Sequence, residues 1–84
     1  MGLPTQPVTL SIEQIEDLHR KLAHLRHDIN NNLSLIIAAA EMMRFKPELL
    51  AKMMNTLDLQ PPRITEAVAR FTEDFEKALG ITRP

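Results

Sequence analysis

The sequence contains no cysteine, no tryptophan and no tyrosine, and Phe45, Phe71 and Phe75 are its only aromatic residues. Without cysteine there is no disulfide to staple a small fold and no thiolate to hold a metal, two devices common in small secreted domains. The expected compartment is therefore cytoplasmic. Scarce aromatics leave no platform on which bases could stack. Charge of one sign is not in excess either: ten Lys and Arg face eleven Asp and Glu, for a formal net charge of −1. No basic stripe of the kind that neutralises phosphates stands out, so nucleic acid is not an expected partner. No apolar run approaches the ~20 residues that span a bilayer, and no basic segment precedes an apolar stretch of signal-peptide length. Gln6 stands where a myristoylation signal following Met1-Gly2 needs Ser or Thr. The chain is expected to be soluble, with no membrane partner.

What is present is helical periodicity. Residues 1–10 carry Gly2, Pro4 and Pro7 without any apolar period and read as a flexible or extended arm. Ser11 then offers a hydroxyl to cap a helix, and Gln14, three residues on, can reach back to the N–H of the cap, which is a capping box. From there Ile15, Leu22, Ile29, Ile36 and Met43 recur every seven residues, with Leu18, Leu25, Asn32 and Ala39 as a companion row. One helix from about Ser11 to Arg44 follows. It would be about 50 Å long, too long to be stable alone.

Pro47 suits the first turn of a second helix, and the short Phe45-Lys46 link implies that it returns antiparallel to the first. Leu50, Leu57, Ile64, Phe71 and Ala78 keep the spacing of seven, joined by Met54, Val68 and Phe75, and Gly80 is a natural stop. Pro61-Pro62 interrupts this pattern with a pair that should remove backbone hydrogen bonds at ~3 kcal/mol or more. Because the register is the same on both sides of the pair, residues 47–79 are expected to form one arm, kinked or briefly interrupted at the prolines.

A lone chain of 84 residues buries only ~60% of its unfolded surface, so help from a second copy is plausible. Leu33, Leu35, Ile37, Ala40 and Met53 add more apolar surface than two helices need. The expected architecture is an all-α helical hairpin over residues 11–80, with a tail at 81–84, that forms a homodimeric antiparallel four-helix bundle.

In the frame that puts Leu22 and Ile29 on the seam, His27 falls on the opposite side of its helix and faces water. Asp28 adjoins it, and Asn31, four residues on, shares its face, whereas Asn32 falls on the seam as a residue that sets register. An exposed neutral imidazole offers a lone pair to a phosphoryl group near physiological pH. His24 and His27, three apart, could ligate a metal with Asp28, but no further well-spaced ligand is evident and no metal site is expected. The methionines Met42, Met43, Met53 and Met54 read as core filler.

The stretch His27-Asp28-Ile29-Asn30-Asn31, preceded by Leu22-Ala23 and followed by Leu33, resembles the H box of sensor histidine kinases, in their dimerisation and histidine phosphotransfer (DHp) domain. The resemblance covers the hairpin in outline and about a dozen residues in detail. It implies that His27 is a phosphoacceptor, that Asp28 assists the transfer, and that Asn31 orients water when a response regulator is dephosphorylated. Arg26 departs from the family, which usually has a small residue there, and Asn32 stands where many members have proline. The sequence has nothing like the glycine-rich nucleotide boxes of the kinase catalytic domain, so the chain is not expected to act as an autonomous kinase. The resemblance implies a phosphotransfer module of two-component signalling, with a response-regulator receiver domain or a histidine kinase as partner. No cofactor is expected on this chain, and magnesium would come with a partner receiver. The rival expectation is a non-catalytic dimerisation or adaptor domain that binds a receiver or competes with a kinase for one; a third is that the chain is a segment of a larger kinase.

Overall fold

A computed structural model describes residues 2–81; Met1 and residues 82–84 of the expected tail lie outside the described residues. The chain forms α1 (Ile12–Phe45), a short 3-10 turn (Pro47–Leu49) and α2 (Leu50–Leu79), a two-helix hairpin. No helix among the described residues is long and apolar enough to cross a membrane.

Local chemistry sets the ends of both helices. At the start of α1 the Gln14 N–H donates to Ser11 Oγ at 3.1 Å and the Ser11 N–H to Gln14 Oε1 at 2.8 Å, closing the capping box. Lys46 leaves helical geometry after Phe45 while its N–H still reaches the Met42 carbonyl at 2.8 Å. Pro47, with no N–H to leave unsatisfied, then opens the 3-10 turn that reverses the chain. At the far end Gly80 adopts φ 70°, a left-handed conformation that glycine takes without strain. The Ile81 N–H reaches the Glu76 carbonyl at 2.8 Å and the Gly80 N–H the Lys77 carbonyl at 3.4 Å, which is a Schellman closure.

The proline pair does not interrupt α2, which runs through Pro61 and Pro62 as one helix. The two prolines lack the N–H groups that would bond the carbonyls of Leu57 and Asp58. Both prolines and Asp58 are exposed and Leu57 is half-buried, so no orphaned carbonyl lies on a fully buried residue. The residue turned toward α1 is Gln60, which keeps its own N–H and sends Nε2 to the Thr56 carbonyl at 2.7 Å. The single arm expected from the unbroken register is present, without the brief interruption, and the backbone cost falls on residues that are exposed or half-buried.

Among the described residues only Asn32 and Ala39 of α1 and Gln60 and Ala67 of α2 are fully buried. Two of the four are alanines, which lets the helix axes approach closely. The inner seam is thus the companion row Leu25-Asn32-Ala39 of the sequence pattern against Gln60 and Ala67, rather than the row of Leu22, Ile29 and Ile36 or that of Leu57 and Ile64. At 100° per residue, Leu22, Ile29, Leu33 and Ile36 fall on one flank of the α1 seam row, and Leu57, Ile64, Val68 and Phe75 on the corresponding flank of α2. Much of that broad apolar face is open: Leu22 and Val68 are both 42% exposed. Met42, on the other flank of α1, and Met54 are also exposed rather than core filler in the hairpin. Phe71 and Phe75 stack along the open face, tilted, with ring centroids 6.0 Å apart.

The hairpin is a flat rod of 58 × 28 × 12 Å. Its radius of gyration is 18.2 Å, against ~12 Å for a compact domain of this length.

Candidate functional site

The heptad phase of α1 turns His27, Asp28 and Asn31 outward, and all three are exposed. His27 and Asn31 share a face, at positions i and i+4. Asp28 is rotated by about 100° from His27, toward α2. The structure therefore brings Asn31 to the histidine's face, while Asp28 makes no hydrogen bond to the imidazole among the described residues. Asn32 is buried against α2, as its seam position requires.

On this flank, opposite the open apolar face, the two helices enclose polar grooves. One, of about 290 Å³, is lined by Asp28, Asn31 and Asn32 from α1 and by Arg63, Glu66, Ala67 and Arg70 from α2. A second, of about 230 Å³, continues it through Lys21, His24, Leu25, Phe71 and Asp74. Asp28, Ala67 and Arg70 line both. This sets the antiparallel register, with Asp28 level with Ala67. His27 then lies at the height of Ala67 and Val68, between Arg63 on one side and Arg70 on the other, each within roughly 7 Å along the axis.

The α2 side of this flank is absent from the sequence reading, which stops at the histidine and its neighbours. A signal for it exists: Arg63 and Arg70 are seven apart, the spacing that carries the apolar rows, with Glu66 between them. Nothing in the sequence marks that row as facing the histidine's helix. Among the described residues no group of three or more His, Asp or Glu side chains is placed to hold a metal ion.

Charge pairing is concentrated one groove away. Lys21 Nζ lies 2.9 Å from Asp17 Oδ2 and 3.7 Å from Asp74 Oδ2, the latter contact joining α1 to α2, and Arg20 Nη2 donates to Asp17 Oδ1 at 3.0 Å. The hydrogen bond from Lys21 holds the Asp17 carboxyl below its ordinary range, helped by the charges of Lys21 and Arg20. The same bond raises the Lys21 ammonium.

A carboxyl depressed in the folded state adds stability that is present above its unfolded value and is lost as the pH falls through the folded one. Asp17→Asn is therefore expected to lower the melting temperature modestly at pH 7, as an exposed pair should, and the gap from wild type should close as the pH drops below the ordinary carboxylate range. Thermal melts followed by circular dichroism across pH check it; a gap that widens in acid would contradict the assignment.

Comparison of the chain with protein-family models, with curated proteins and with solved structures finds no match.

Proposed function

We propose that the chain is a histidine phosphotransfer module of two-component signalling, built on a dimeric four-helix bundle resembling the DHp domain. The single observation that carries this reading is the placement of His27. An exposed imidazole stands midway along a long hairpin, with Asn31 on its face and a polar flank around it, and the apolar face is turned the other way. In this reading His27 accepts a phosphoryl group from a receiver aspartate and returns it to another. Asn31 is placed to orient water where the module also removes phosphate, and Asp28 acts on the imidazole through its charge. Magnesium would be held by the receiver.

The exposed surface of the hairpin supports the dimeric part of this reading. The whole chain, arm included, exposes 6688 Å², whereas a compact monomer of 9.6 kDa exposes about 5,100 Å². The excess of roughly 1,600 Å² is of the size a stable interface removes from water. Part of it is the apolar row of Leu22, Leu33, Val68 and Phe75, all exposed in the hairpin, and in this reading a second copy covers that row in the manner of a bundle.

The test is incubation with receiver domains charged with radiolabelled phosphate. Label should move to the chain or be released as inorganic phosphate with wild-type protein and stay on the receiver with His27→Ala. Label that stays on the receiver with both proteins, or leaves it equally with both, would overturn the reading. The second reading, a non-catalytic adaptor, draws on the missing Asp28–His27 hydrogen bond; it expects receiver binding that His27→Ala leaves unchanged and no transfer at all.

A further inference from the structure

We propose that Arg63 and Arg70, with the carboxamides of Asn31 and Asn32, form an oxyanion-binding groove on the flank next to the face of His27, which does not itself line the groove. The groove of about 290 Å³ is large enough for a phosphate and open enough to admit one carried on a protein. Its two arginines stand on one face of α2, seven residues and a helical rise of about 10 Å apart, and they bracket the height of His27. Neither makes a hydrogen bond or an ion pair among the described residues, so their planar donor forks are uncommitted. Two carboxamides from α1 close the groove on the opposite side, and each can turn an NH₂ toward it.

Formal charge in the groove is balanced, since Asp28 and Glu66 line it alongside the arginines. Binding must therefore come from directed N–H donors rather than from a diffuse positive field. The two carboxylates also keep the groove from accumulating anions without selection, and their repulsion sets an affinity weak enough for a ligand that must leave. A planar carboxylate is satisfied by one guanidinium, whereas the three oxygens of a phosphoryl group can engage both arginines and an amide together.

Two sources share this chemistry: free inorganic phosphate, and a phosphoryl group held on a protein. The proposal rests on the phosphotransfer reading only for the second, in which the arginines would neutralise the charge of the group as it passes to or from His27.

The experiment has two arms, both on the full chain. In the first, inorganic phosphate is titrated while the Nε–Hε signals of every arginine and the side-chain amides of asparagine are followed by NMR. Arg63, Arg70, Asn31 and Asn32 should shift together and saturably, with Arg26 and Arg44 unmoved. The double variant Arg63→Gln, Arg70→Gln should weaken binding by about tenfold or more, and Glu66→Gln should tighten it by removing a like charge. All arginines shifting in parallel without saturation, or an unchanged affinity in the double variant, would overturn the groove as a site.

In the second arm, label transfer from a phosphorylated receiver is timed with wild-type protein and the double variant. A rate constant at saturating receiver that drops about tenfold assigns the arginines to the phosphoryl group in transit; an unchanged one overturns that role and leaves free phosphate as the ligand. Failure of wild-type protein to transfer label at all would sink the phosphotransfer reading while the result of the first arm still decides the groove.

Discussion

Leu22→Glu is expected to abolish both the dimer and the fold. In the hairpin Leu22 is 42% exposed and lies on the open apolar face with Ile29, Leu33 and Ile36. If that face is covered by a second copy, the substitution removes a buried leucine and places a carboxylate in its stead, and a two-fold interface makes each change count twice. Losing the burial alone costs about 1.5–3 kcal/mol per copy, and an unpaired charge adds to it, so the dissociation constant should rise by about two to four orders of magnitude. Dissociation should also be unfolding. A hairpin whose fully buried residues, among those described, are two alanines, an asparagine and a glutamine has too little core to offset the entropy of ordering about 65 helical residues. Light scattering and circular dichroism over a dilution series check both halves. Wild-type protein should be dimeric and helical, Val68→Glu should behave like Leu22→Glu, and Ser34→Glu, at an exposed polar position on the far side of α1, should behave like wild type. A wild-type monomer that keeps its helicity on dilution would contradict the bundle.

What the sequence carries plainly is local or periodic. The capping box needs only Ser11 and Gln14, and the helix stop needs only the freedom of Gly80, so both are fixed within one turn of chain. The outward placement of His27 follows from helical phase against Leu22 and Ile29, whichever surface those leucine and isoleucine side chains finally meet. Periodicity does not say which neighbour an apolar row meets. Leu22 reads as inner seam by spacing, yet the sister helix touches the row beside it, and the true seam on α2 runs through Gln60 and Ala67, which a search for large apolar residues passes over. Pro61-Pro62 misleads for a related reason. The local rule counts missing N–H groups but not where the orphaned carbonyls face, and that is decided by the packing of Gln60 on α1. Arg63 and Arg70 become part of the histidine's surroundings only when antiparallel register sets Ala67 level with Asp28. That register depends on the reversal at Pro47–Leu49, a long-range fact that no stretch around His27 contains.

Gln60→Met is expected to make the protein more stable. Gln60 is 1% exposed, the most deeply buried side chain described. Its Nε2 donates to the Thr56 carbonyl, which the helix already supplies with an N–H, while its Oε1 is buried with no partner. A buried acceptor left unmade costs about 1–3 kcal/mol, more than one neutral hydrogen bond to a satisfied carbonyl returns. Methionine has the same unbranched length and similar volume, so it can fill the space without a cavity or a clash. The expected gain is about 1–2 kcal/mol, or several degrees in the melting temperature for a domain of this size. The presence of glutamine here then has a structural reading. On the facing helix the other buried amide is Asn32, so the only two fully buried polar side chains described both lie in the seam, near the proline pair. Polar residues in such seams fix register at the expense of stability. Urea melts of Gln60→Met measure the first effect, and the sharpness of its dimer by light scattering and NMR line widths measures the second: a higher midpoint with broadened or multiple signals is the expected result. A lower midpoint would show that Oε1 finds a donor in the assembled protein and would contradict the prediction.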